Sequence, residues 1–180
     1  MDNFVFDNAG YELFADLCLA DYIISKNLAQ SIRFYVKTIP WFISDVMTHD
    51  FNWTLEQLKE SENQTLQELS ERWTQYLQNG TWSIVESDFW TLPFDYTDMA
   101  KVDPKLYKQL AGAKAVFFKG DLNYRKLFGE KNWDPVTSVD DGLQNFHPTA
   151  LCIIRTNKAD IVCGLKEGVA EKLRLKTLTG

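Results

Sequence analysis

Two stretches of the chain put oxygen donors just after a strand-like run. Phe4-Val5-Phe6 is followed at once by Asp7-Asn8, a carboxylate beside an amide oxygen. Asp45 lies in a loop after a second run, Ser31 to Lys37. Three oxygen ligands from separate loops, with water completing the shell, suit a hard divalent cation such as Mg²⁺ or Mn²⁺. The same residues admit a plainer use. Asp7 or Asn8 would serve as the cap of the helix that follows, and Asp45 competes with Thr48 and Asp50 to cap the next one.

Cations gather at two other places. Lys119, Arg125, Arg155 and Lys158 stand at or just beyond two buried-type runs, Ala115 to Phe118 and Ala150 to Ile154. With Gly120 permitting close backbone approach and a helix start beside it, such cations suit an anion, phosphate foremost. Taken singly, each reads as a solvated residue at a strand end. Two clusters of one type, each after a buried run, favour the anion. Asn123 and Tyr124 have the chemistry to bond sugar hydroxyls, although a tyrosine here also reads as a ring packed into the core.

Other chemistries find no support. His49 and His147 are far apart, with no Cys or His at zinc-ligand spacing. Cys18, Cys152 and Cys163 form no CxxC pair and sit among apolar neighbours, as reduced thiols do. The six tryptophans lie beside apolar residues and read as core rather than as a stacking platform. Dinucleotide, P-loop and serine-hydrolase glycine motifs do not occur in the chain.

The elements that must position these groups alternate. After the first strand, Leu13, Phe14, Leu17, Ala20 and Ile24 recur at helical spacing. Ser31 to Lys37 reads as a second strand, and Thr48 to Asn79 as a helix in two pieces capped at Asp50 and Ser61. Trp82 to Glu86 alternates as a strand should, Phe89 to Asp103 is aromatic and irregular, and Pro104 opens a helix through Leu110. The continuous apolar run Ala115-Val116-Phe117-Phe118 marks a strand buried on both faces. A helix through Leu127, a loop from Asn132 to Pro148 and a strand from Ala150 to Ile154 follow. A short added strand is expected at Asp160 to Cys163 and a closing helix at Lys166 to Lys176. This pattern predicts a three-layer α/β/α sandwich with a mainly parallel, Rossmann-like sheet. In such sheets ligands bind outside the carboxyl ends of the strands, so the polar clusters are expected to converge.

Composition sets the outer bounds. The 180 residues are 45% hydrophobic and 24% charged, ordinary for one globular α/β domain spanning 1–180. A net charge of −6 without a basic stripe argues against nucleic acid. No apolar stretch nears the roughly 20 residues a membrane span needs. Asp2, Asp7, Glu12 and Asp16 crowd the start of the chain, which a targeting peptide tolerates poorly, so a cytoplasmic location is expected.

The segment Phe6-Asp7-Asn8-Ala9-Gly10-Tyr11-Glu12-Leu13-Phe14-Ala15-Asp16-Leu17 resembles the metal-site segment of the damage-control phosphatases, formerly a domain of unknown function. The similar branch is also named sugar phosphate phosphatase or acidic residue methyltransferase. Phe118 to Leu127 resembles the same branch, and Arg155-Thr156-Asn157-Lys158 matches its Arg-Thr-x-Lys signature. Three motifs in order, over nearly the whole chain, make the resemblance specific.

What the resemblance implies is hydrolysis of small phosphorylated sugars such as fructose 1-phosphate and fructose 6-phosphate, with Mn²⁺, Ni²⁺, Co²⁺ or Mg²⁺. Its metal ligands carry over to Asp7, Asn8 and Asp45. Its substrate contacts carry over to Asp7, Asn8, Asp121, Leu122, Asn123, Tyr124, Arg125 and Lys158. Asp45, Asp121 and Lys158 are then the expected catalytic groups, with Asp45 or Asp121 placing the attacking water. The branch's other name implies an S-adenosylmethionine-dependent carboxyl methyltransferase acting on protein glutamates, yet Asp7-Asn8-Ala9-Gly10 carries a single glycine where such a cofactor loop would lie. Members of the branch are longer, with a helical N-terminal region that this sequence is expected to lack. A third expectation is therefore an inactive metal-binding fragment that self-associates or pairs with the missing segment.

Overall fold

The computed structural model describes residues 1–173. Its five strands are β1 (Asp2–Val5), β2 (Ile32–Lys37), β3 (Trp82–Ser87), β4 (Ala115–Lys119) and β5 (Ala150–Ile154). They form one sheet in the order β3-β2-β1-β4-β5. Every pairing is parallel, with Val5 opposite both Tyr35 and Phe118.

The helices cover both faces. On one side lie α1 (Tyr11–Ser25), α2 (Thr48–Glu60) and α3 (Gln64–Gln78). Their residues Leu13, Leu17, Phe51, Leu55 and Trp73 close over Phe4, Phe34 and Trp82 of the sheet. On the other lie α4 (Met99–Val102), α5 (Pro104–Ala111), α6 (Gly120–Phe128) and α7 (Val139–Gly142). Here Met99, Leu106, Leu110, Leu127 and Phe128 meet Val5, Tyr35, Val116 and Phe118. Neighbours such as Phe4 and Val5 enter opposite cores because side chains alternate along a strand. The result is the expected three-layer α/β/α sandwich. Among the described residues no helix is long and apolar enough to cross a membrane.

Several local expectations are refined. Neither Asp7 nor Asn8 caps α1; the cap position is Gly10, at φ 70° and with no side-chain bond. Asp50 lies inside α2, where its Oδ2 accepts from the Met47 N–H at 2.9 Å, and Asn63 rather than Ser61 caps α3. The irregular aromatic stretch contains 3-10 turns at Asp88–Thr91 and Tyr96–Asp98.

Asp160 to Cys163 forms no strand. Its backbone groups go elsewhere, because Arg155 takes the Ala159 and Ile161 carbonyls and the Cys163 N–H donates to the Tyr124 hydroxyl. Helix is present at 169–173; residues 166–168, expected to open that helix, are non-helical, and 174–176 lie outside the described residues. Trp73, Trp82 and Trp90 are core, whereas Trp41 and Trp53 are exposed at 44% and 57%. All three cysteines are free, and only Cys163 is buried.

Candidate active site

The sheet order reverses between β1 and β4. The chain leaves β1 toward β2 and β3, then returns to β4 on the other side of β1. A crevice must open at that point, outside the carboxyl ends of the strands. Asp7 follows β1 there and Gly120 follows β4. A pocket of about 350 Å³ sits at this place, lined by Asp7, Asn8, Asp45, Asp121, Leu122, Arg125 and Lys158, together with Phe42, Ser44 and Ala159.

Backbone pairing brings Asp45 to Asp7. The loop after β2 runs antiparallel to the chain leaving β1: the Ala9 N–H donates to the Ser44 carbonyl at 2.7 Å and the Val46 N–H to the Asp7 carbonyl at 2.9 Å. Asp45 then closes its own loop, its Oδ2 accepting from the Trp41 and Phe42 N–H groups, each at 2.7 Å. The Asn8 amide donates to Asp7 Oδ2 at 3.1 Å and to Glu12 Oε2 at 2.8 Å, while its oxygen accepts from the Ser44 hydroxyl at 2.7 Å.

Beneath the pair lies Lys37, the last residue of β2. Its Nζ is 2.8 Å from Asp45 Oδ1 and 3.7 Å from Asp7 Oδ1. Although 2.8 Å is short enough for a hydrogen bond, neither Lys37 Nζ nor Asp45 Oδ1 completes one. The contact is ionic without alignment. Burial pushes the Asp7 carboxyl up to about 6, with Asp45 and Glu12 adding to the rise and Lys37 and Lys158 opposing it.

Asp7, Asn8 and Asp45 supply two carboxylates and an amide, hard donors of the kind Mn²⁺ and Mg²⁺ prefer. Among the described residues Asp45 Oδ1 accepts no hydrogen bond and has the Lys37 ammonium at 2.8 Å, so this carboxylate already sits in a cation's field. The residues fit such an ion. They do so as a set of two carboxylates plus amide, since no group of three or more His, Cys, Asp or Glu among the described residues is arranged as a metal cage.

The cationic side is built on Asp121 in the first turn of α6. Its Oδ1 accepts from the Lys158 N–H and its Oδ2 from the Ala159 N–H, both at 3.2 Å. The Arg155 guanidinium lies 2.8 Å from Oδ1 and stacks 3.9 Å above the Tyr124 ring. Asp121 and Arg155 thereby set the loop that offers Lys158 to the pocket. Arg125 lines the pocket while its Nε pairs with Glu130.

Two expected contact residues are drawn inward instead. Asn123 is 1% exposed. Its amide donates to the Val5, Phe6 and Lys119 carbonyls, and its oxygen accepts from the buried Tyr96 hydroxyl, so it ties α6 to the ends of β1 and β4. Tyr124 is 8% exposed and is spent on Arg155 and the Cys163 N–H. Neither lines the pocket.

Lys37 is not among the residues that the sequence singles out. A signal was available, because Lys37 ends β2 as Lys119 ends β4. Lys119 itself turns away from the pocket to Asp16, at 2.9 Å, and Glu12, at 3.5 Å. A second cleft of about 350 Å³ adjoins the first, sharing Leu122 and Arg125 and walled by Trp41 and Phe94.

The chain is similar to known proteins over nearly its full length. The model of the damage-control phosphatase ARMT1-like domain matches residues 3–173. Relatives named damage-control phosphatase ARMT1 are 47% identical in Homo sapiens, 46% in Bos taurus and 45% in Danio rerio, each over 94% of this chain. The chain spans 38% of the length of these relatives.

Proposed function

The chain belongs to the damage-control phosphatase ARMT1-like domain family, and on that footing we propose that it carries the catalytic pocket of a metal-dependent phosphatase acting on small sugar phosphates. Fructose 1-phosphate and fructose 6-phosphate are the proposed substrates. One observation carries the reading: Asp7, Asn8 and Asp45 share a single pocket with Arg125 and Lys158. Oxygen donors for a cation thus face cations for a phosphate.

Asp7, Asn8 and Asp45 are assigned to the divalent ion, Mn²⁺ or Ni²⁺ foremost, with Co²⁺ or Mg²⁺ as substitutes. When bound, the ion polarises a phosphoryl oxygen and acidifies water. Arg125 and Lys158 hold the remaining phosphoryl oxygens and offset charge there, where most of the catalytic demand of phosphoryl transfer lies. Hydrolysis joins the oxygen of one water to phosphorus and breaks the phosphorus–oxygen bond to the sugar. A proton from that water ends on the sugar hydroxyl. In a loose transition state the water needs placing more than deprotonating. That suits carboxylates already committed to N–H donors. Asp45 is assigned to orient the water, and Asp121 to hold the Lys158 loop.

Leu122 and Arg125 border both clefts, so the sugar carbons are assigned to the side of Trp41. The carboxyl methyltransferase alternative is not favoured, since the curated relatives are named phosphatases.

The test is phosphate release from fructose 1-phosphate by the purified chain, in EDTA or with Mn²⁺ or Ni²⁺ added, beside Asp45→Ala. Release that needs the metal and is lost in the variant is expected. Release indifferent to EDTA, or retained by Asp45→Ala, would overturn the assignment. A folded chain that binds Mn²⁺ but releases nothing would match the inactive-fragment reading instead.

A further inference from the structure

Lys37 is a buried cation that pairs with Asp45 yet completes no hydrogen bond among the described residues. Its side chain is 3% exposed and does not line the pocket, whereas Asp7 and Asp45 do. The direction follows from the sheet. Lys37 lies two residues beyond Tyr35, on the same face of β2, and Tyr35 belongs to the core under α4, α5 and α6. The ammonium therefore reaches the carboxylates from inside the protein, while Asp7 and Asp45 themselves line the pocket.

The electrostatics are lopsided. Two carboxylates, 5% and 2% exposed, stand beside one ammonium. A buried charge left without compensation is strongly destabilising. Lys37 offsets part of that cost, at 2.8 Å from one carboxylate and 3.7 Å from the other. A divalent cation arriving from the pocket would act on the same pair from the opposite side.

We infer that Lys37 is the resident counter-cation of the Asp7–Asp45 pair, a positioning residue that keeps both carboxylates aimed into the pocket while no divalent ion is bound. The inference rests on the metal-site reading above. Lys37 and the divalent ion do overlapping work, so each matters most when the other is absent. Lys37 offsets half of the pair's charge, and a divalent ion would more than offset the remainder.

The experiment is thermal unfolding of the purified chain and of Lys37→Met, each in EDTA and in saturating MnCl₂. In EDTA the variant should melt below the parent. Mn²⁺ should then raise the variant's Tm by more than it raises the parent's. A rise no larger than the parent's would overturn the inference. The double variant Lys37→Met/Asp45→Asn, in EDTA, supplies an arm without metal. Removing one carboxylate removes the need for the counter-cation, so the double variant should melt above Lys37→Met and should fold even where the single variant does not. A double variant no more stable than the single one would also overturn it. If Mn²⁺ fails to shift the parent, the cation assignment falls, and the comparison in EDTA still decides the role of Lys37.

Discussion

Gly120 and Asp7 meet so closely that a Cβ on Gly120 would stand 1.8 Å from Asp7 Oδ2 and 2.4 Å from Asp7 Cβ. The close approach follows from the switch in strand order, which sets the ends of β1 and β4 side by side. Gly120 also holds φ at +84°, a region that residues with a Cβ rarely adopt. Gly120→Ala is therefore expected to cost about 2 kcal/mol or more of stability and to push Asp7 out of the pocket. Urea melts and Mn²⁺ titrations of the variant check it. Unchanged Mn²⁺ affinity would mean that Asp7 is not a ligand, or that it moves freely.

Asp16 gives a pH signature. Burial pushes its carboxyl up to about 6, against the pull of Lys119. In the unfolded chain it titrates near its ordinary value of about 3.9. The folded form thus holds the proton more tightly. Its contribution favours folding fully below about pH 4 and is lost as pH climbs through about 6. In Asp16→Asn that loss disappears. Between pH 4 and pH 7 the parent should lose about 2 kcal/mol of stability relative to the variant. Urea midpoints for both proteins, in EDTA at several pH values, measure the difference; a gap constant with pH would contradict it.

Asp121 has two candidate duties, holding a loop or placing a water, and Asp121→Asn separates them. If the carboxylate holds the Lys158 loop, the Lys158 and Ala159 amides should exchange with deuterium about tenfold faster or more, as the loss of charge-assisted bonds requires. KM for the sugar phosphate should then rise more than kcat falls. A collapse of kcat with those amides still protected would assign Asp121 to the water instead.

Much of this protein is legible along the chain. The continuous apolar run Ala115 to Phe118 announces a doubly covered strand, and alternation with helical periods announces the three layers. That Asp7-Asn8 and the residues after Lys119 lie at carboxyl ends of strands follows from where the apolar runs stop. Local order suffices for these features because each depends on near neighbours and on burial alone.

Convergence is a matter of pairing over long range. Asp45 is a loop residue by sequence, and it reaches Asp7 through the Ser44–Ala9 and Val46–Asp7 backbone bonds. Lys37 and Lys119 look alike in sequence, each a lysine closing an apolar strand. Yet Lys37 turns under the Asp7–Asp45 pair and Lys119 pairs with Asp16. Asn123 and Tyr124 sit in a motif that suggests substrate contact, but α6 turns them toward the strand ends and the Arg155 loop. The sequence by itself determined which elements form and which polar groups end them. Strand register and helix rotation, set by packing between residues remote in the chain, decided which of those groups share one pocket and which are spent holding it together.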